Sequence, residues 1–264
     1  MRLLKKSCAH KCTIMLYSYI YDFLGMEESI LILSSDIKEA GYSKSSPVLQ
    51  NIQFTIKPGE LVGLIGPNGA GKSSTIKSLL GIINYLDGTI EMSDYAYIPE
   101  RPIFYEGLTL WEHLHFLMST LKTDEKDFIS RAGQMLKEFG LENEASLYLD
   151  RFSKGMQQKV MIMLAFLQQP SLHIIDEPFT GLDPKSTKQL LTMIQQEKER
   201  GSSILMSTHI LDTAEKVCDR FLLIFDGKIL SQGTLSDIRK QSGLEHGSLL
   251  DCFDALTKRD TDDR

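Results

Sequence analysis

"GPNGAGKSS", residues 66–74, decides the reading of this chain. Gly66, Gly71, Lys72 and Ser73 fit the spacing G-x-x-x-x-G-K-[ST]. The apolar run LVGLI (61–65) precedes it as a strand, and TIKSLLGII (75–83) follows with helical spacing. Glycines at such a strand-to-helix turn let the backbone curl tightly, so that the N–H groups of residues 69–74 converge on phosphate oxygens. Lys72 supplies a cation for the β- and γ-phosphates, and the Ser73 hydroxyl suits Mg²⁺. Pro67, Asn68, Gly69, Ala70 and Ser74 complete the contact loop. A ligand-free glycine-rich turn is the plain alternative, but the flanking strand and helix favour a nucleoside triphosphate site.

Such a site needs an acid at the end of another core strand. LHIIDEP (172–178) offers one, because Leu172–Ile175 is an apolar strand that ends in Asp176. Asp176 suits Mg²⁺, usually through water, while Glu177 is placed to orient and polarise an attacking water. STHIL (207–211) ends a third strand with His209, which can donate to a γ-phosphate oxygen. A pair of turn acids and a capped structural histidine are the bland readings of the same residues. No guanine-reading N-K-x-D stands anywhere in the chain, which disfavours GTP.

Working outward, β-rich runs alternate with helical patterns, the sign of a parallel sheet with crossover helices. Strands are expected at Ile30–Leu33, Ile52–Ile56, Leu61–Ile65, Leu172–Ile175, Ser203–Met206 and Phe221–Ile224, and Asp226-Gly227 reads as a tight hairpin turn. From about 105 to 169 the strands give way to helical periods, which indicates a helical insert in an α/β core. GTIEMSDYAYIPE (88–100) joins two strands by a Ser93-Asp94 turn. The tail after about 243 is polar and acidic and is expected to be weakly ordered or loosely docked.

The chain has 264 residues, 42% hydrophobic and 24% charged, as in ordinary globular proteins with a sizeable core. A net charge of -6 gives no reason to expect a nucleic-acid partner. Cys8, Cys12, Cys218 and Cys252 are too scattered for a disulfide framework, which points to a reducing cytoplasm, and Cys8 and Cys12 around His10 lack a second ligand pair for zinc. No stretch reaches the roughly 20 apolar residues that cross a membrane. Residues 1–25 place Arg2, Lys5, Lys6 and Lys11 before an apolar run, like a crude signal peptide. Asp22 interrupts that run and no cleavage site follows, so Met26 is expected to be the effective start, with 1–25 disordered or not native.

RFSKGMQQKV (151–160) poses a separate question. Ser153 can cap a helix, yet Lys154 then stands at the positive end of the helix dipole, which favours an anion nearby. In order, the phosphate loop, FSKGMQQK (152–159), IIDEP (174–178), TGLDP (180–184) and STH (207–209) resemble an ABC-type ATPase, closest to bacterial transporter subunits of the Ecs type. The resemblance runs from about Glu28 to Gly233. It implies a phosphate-loop core with a parallel sheet, a reduced antiparallel β subdomain and an inserted helical subdomain.

The resemblance also assigns residues. Ser153 and Gly155 are the pair that contacts the γ-phosphate of ATP bound to the opposite subunit, so the anion is a phosphate of another chain. Phe152, Lys154 and Met156 depart from the family's L-S-G-G-Q. Tyr42 matches the aromatic that stacks on adenine, and Asp183 lies in the loop that crosses to the partner subunit. Glu100 stands where the family usually has a glutamine near Mg²⁺ and the attacking water. Ile103, Phe104 and Tyr105 fall where the family receives a short cytoplasmic helix of its membrane subunit.

Three functions fit this pattern. The first is the motor subunit of an ABC transporter, a homodimer on the inner face of the bacterial membrane that drives a permease, with the Ecs likeness leaning to export. The second, a soluble relative acting on ribosomes or DNA, usually carries two cassettes or a long coiled coil. Here 80 residues without sustained heptads separate Ser73 from Ser153. The third, a nonhydrolysing scaffold, would not need both Glu177 and His209.

Overall fold

Nine strands among the described residues form two sheets that carry the function-bearing loops. The computed structural model describes residues 31–262, which belong to one compact unit. The extension 1–25, with Cys8, His10 and Cys12, lies outside the described residues. The larger sheet has the order β5-β6-β7-β3-β8-β9, formed by Tyr95–Ile98, Leu172–Asp176, Ser203–Thr208, Leu61–Ile65, Arg220–Phe225 and Lys228–Gly233. Its strands run parallel except β9, which returns from β8 through the expected Asp226-Gly227 turn. Both turn residues have positive φ, 48° and 72°, the geometry of a tight primed turn.

The smaller sheet, β2-β1-β4, is antiparallel and consists of Leu49–Ile56, Leu33–Gly41 and Tyr85–Met92. Here the structure departs from the expected Ile30–Leu33 strand, because β1 begins at Leu33 and continues through LSSDIKEAG to Gly41. Ser34, Ser35 and Asp36 are poor strand formers. Pairing on both sides, with β2 and with β4, holds them extended, and Leu33, Ser35 and Ile37 face inward. Ser93 and Asp94 do join two strands, but these belong to different sheets, so the turn is a crossing point and not a hairpin. Asp94 then fixes the entry to β6, accepting 2.7 Å from the Ser171 hydroxyl.

Eight α-helices among the described residues pack on these sheets. The first, α1 (Lys72–Leu79), follows the phosphate loop directly. The insert comprises α2 (Leu110–Thr120), α3 (Glu125–Phe139) and α4 (Lys154–Phe166). Helix α2 starts at a capping box of Thr109 and Glu112, and α3 at Asp124 with Gly140 closing it in a left-handed conformation. Phe128, Leu136, Leu114 and Phe166 bury the apolar sides of the insert in one core with Ile98 and Ile175 of the sheet. A second core lies between the antiparallel sheet, α1 and the opposite face of β6 and β3.

The tail differs from expectation. After α5 (Pro184–Glu199) and α6 (Leu211–Val217), the chain forms α7 (Leu235–Ser242) and α8 (Leu249–Asp262), which close a third core with β8. Leu249, Cys252 and Phe253 are buried there, and the Leu249 N–H donates 2.7 Å to Glu215 while Arg259 donates 2.7 Å to the Ser242 carbonyl. Polar composition hid the motif, because only one side of α8 is apolar. Phe253→Ala should cost about 3 kcal/mol in urea unfolding, as for buried aromatic truncations generally. A change within about 0.5 kcal/mol, the usual surface value, would mean that α8 is not part of the folded core.

Candidate nucleotide and hydrolysis site

The phosphate loop begins at a position with no room for a side chain. A Cβ on Gly66 would stand 2.3 Å from the Ile224 carbonyl oxygen, and Gly71 has φ 110° as the residue that caps α1. That cap offers no side-chain acceptor, so the first N–H groups of α1 remain available to an anion. The loop is also tied to the sheet, since Gly227 N–H donates 2.9 Å to the Ala70 carbonyl. Pro67, Asn68 and Gly69 are exposed at its rim, while Ser73 and Ser74 are partly covered.

Lys72 is buried and donates from Nζ to the carbonyls of Gly66 (2.8 Å) and Pro67 (3.2 Å). The same ammonium lies 3.2 Å from Glu177 Oε1. The other oxygen of that carboxylate, Oε2, is 2.9 Å from His209 Nδ1. Glu177 thus bridges the cation of the loop and the imidazole of the third strand. Its backbone sits at φ 51°, a left-handed conformation that a non-glycine residue adopts at an energetic cost and that recurs at functional sites. The turn swings Glu177 off the line of β6.

Asp176, one residue earlier, is 3% exposed and accepts 2.5 Å from the Ser207 hydroxyl. Glu100 is exposed just beyond β5. Tyr97 links the two electrostatically: burial first, then the charges of Asp176 and Glu100, push its phenol up to about 12. Among the described residues no cluster of three or more His, Cys, Asp or Glu side chains could hold a metal by itself. One carboxylate and a hydroxyl are the oxygen donors that suit Mg²⁺ shared with substrate phosphates, so the residues present fit that ion.

Tyr42 stands on the flank of α1, half exposed, with Lys77 Nζ 5.7 Å from its ring centroid. Hydrogen bonds from Ser74 and Lys77 pull its phenol below the usual value. Its ring therefore lies beside the phosphate loop.

A second group of expected residues gathers elsewhere. Ser153 caps α4 by accepting from the Met156 N–H at 3.3 Å, and no acid stands in that first turn. Asp183 caps α5 through Ser186 N–H (2.9 Å) and pairs with Lys159 of α4 at 3.3 Å. The Ser186 N–H and hydroxyl, with Lys159, hold the Asp183 carboxyl well below the usual carboxylate range. A Cβ on Gly155 would come within 2.9 Å of the Gly181 carbonyl oxygen. Among the described residues, no hydrogen bond or ion pair joins Ser153 or Gly155 to Lys72, Asp176, Glu177 or His209.

The family model for ABC transporters matches residues 49–180 of this chain. The chain is 50% identical over 224 residues to the ABC transporter ATP-binding protein YthP of Bacillus subtilis, covering 84% of this chain and 95% of that one. This chain belongs to the ABC transporter family. Within the family it is also 44% identical over 242 residues to the ATP-binding protein EcsA of Bacillus subtilis, across 87% of this chain and 98% of that one. A solved ATP-binding subunit of an ABC transporter superposes with a TM-score of 0.81 at 42% identity, covering 86% of this chain and 99% of that one. The fold is that of the family's phosphate-loop ATPases, and membership makes this an ATP-binding subunit.

Ser207, Tyr97 and Lys159 were assigned no role from sequence, although Ser207 stands inside the STH motif. Their placement depends on strand register and on which helix meets which loop, neither of which composition reveals. Gly66→Ala should weaken ATP binding at least about tenfold, or 1.4 kcal/mol, in a fluorescent-nucleotide titration. Unchanged affinity in the folded variant would show that the loop tolerates the displaced backbone.

Proposed function

We propose that this chain is the ATP-hydrolysing motor subunit of an ABC transporter, a homodimer that encloses two ATP molecules and drives a membrane-spanning permease. The observation that carries the hydrolytic reading is the Lys72–Glu177–His209 linkage at the phosphate loop. In this reading Lys72 and the loop N–H groups hold the β- and γ-phosphates of substrate ATP, and Tyr42 stacks on adenine. Ser73, Asp176 and Glu100 would hold Mg²⁺. Bound there, Mg²⁺ neutralises charge that develops on the phosphates. Glu177 orients the attacking water and accepts its proton, while His209 donates to the γ-phosphate.

Glu177→Gln keeps the shape and removes the basic oxygen. It should retain ATP binding, lose at least about 10²-fold in turnover and run as an ATP-locked dimer on a sizing column. Normal turnover in that variant would sink the assignment.

A second subunit supplies Ser153 and Gly155 to the γ-phosphate in this reading. Support comes from the exposed, acid-free start of α4, which suits an anion. Asp183 marks the loop that meets the partner subunit. The homodimer works at the cytoplasmic face of the bacterial membrane, with export favoured by the likeness to the Ecs type.

The permease is expected at a cleft of about 390 Å³ lined by Phe104, Tyr105, Leu108, Tyr148 and Gln157. Ile103 and Tyr105 are 73% and 61% exposed, whereas Phe104 packs inward, edge-on to His113 at 5.7 Å. The two exposed side chains are therefore the ones to change. Ile103→Asp with Tyr105→Ser should leave melting temperature and basal ATPase nearly unaltered and abolish co-purification with the permease. Full transport by the double variant would place the docking surface elsewhere.

A further inference from the structure

We infer that Ser207 is a positioning residue that sets the Asp176 carboxylate and the Glu177 backbone together, an inference that rests on reading Asp176 as the Mg²⁺ carboxylate. Parallel pairing of β6 and β7 puts Ser207 directly opposite Asp176. The serine is fully buried. Its hydroxyl donates 2.5 Å to Asp176 Oδ1 and accepts 3.0 Å from the Glu177 N–H. That N–H also reaches the Ser207 carbonyl at 3.2 Å. A hydroxyl can donate to one neighbour while accepting from the next, which neither a methyl nor a carboxylate does.

The two bonds act on different things. The charge-assisted bond to Oδ1 fixes the plane of the Asp176 carboxylate, so the remaining oxygen keeps one direction toward a cation. The bond from the Glu177 N–H holds the residue at φ 51°, where relaxation would carry its side chain away from Lys72 and His209. His209 lies two residues beyond Ser207 on the same strand end, so one short segment locates three groups.

The test compares Ser207→Thr with Ser207→Val, which match in shape and differ in the hydroxyl; Ser207→Ala repeats the comparison without the added methyl. Mn²⁺ binding is read by electron paramagnetic resonance of free Mn²⁺, in the full chain with a nonhydrolysable ATP analogue. Analogue binding is also measured in EDTA, and Mg²⁺ dependence in steady-state ATPase assays. The Val and Ala variants should bind Mn²⁺ at least about tenfold more weakly, the range seen when outer partners of metal ligands are lost, and Thr should stay within about threefold of the parent chain. Analogue binding in EDTA should not change. Asp176→Asn separates the two levels of the argument. If Asp176→Asn leaves Mn²⁺ binding intact, the metal reading fails and this inference with it. If Asp176→Asn weakens binding while Thr and Val bind equally, the metal reading stands and the role of Ser207 is overturned.

Discussion

The register of three parallel strands governs everything else in this molecule. Pairing Ile65 with Thr208, and Asp176 with Ser207, brings the C-terminal ends of β3, β7 and β6 level with one another at one end of the sheet. The phosphate loop, the two acids and His209 each extend from one of those ends. A slip of one residue in β6 would turn Asp176 and Glu177 to opposite faces. The register is held from both faces of the sheet, by buried Leu61 and Ile204 on one and Ile174 and Leu205 on the other, whose packing has little tolerance for displacement.

Charge is the second constraint. Lys72 and Glu177 are both nearly enclosed, and an enclosed ion without a partner is costly. Contact with each other, with two backbone carbonyls and with His209 offsets that cost while keeping the groups at the mouth of the phosphate loop. The left-handed backbone at Glu177 belongs to the same compromise, because an extended residue there would continue β6 and lose the bridge to His209.

The helical insert and the loop 181–183 share another boundary. Gly155 approaches the Gly181 carbonyl so closely that a side chain would displace it, and Lys159 holds Asp183 from the same helix. Movement of α4 therefore bears directly on the loop that follows the two acids. The insert is in turn anchored on Ile98 and Ile175 of the sheet, which connects its position to the strands that carry Glu100 and Asp176.

The sequence by itself determined the phosphate loop, the acid pair, the order of motifs and most of the parallel strands, because each rests on short-range signals. Glycines at fixed offsets, an apolar run ending in acids, a serine before a helical period and an Asp-Gly turn all act within a few residues. Tertiary structure alone decided what those signals could not carry. Strand β1 carries the polar run Ser34-Ser35-Asp36, which stays extended between two partners, and the apolar side of α8 is buried only once α6, α7 and β8 meet it. Ser207 becomes the partner of Asp176 through a register spanning 31 residues of sequence, and Lys159 that of Asp183 through helix packing. Such contacts depend on where distant segments meet, and pairing of distant strands and helices is fixed by the packed core as a whole.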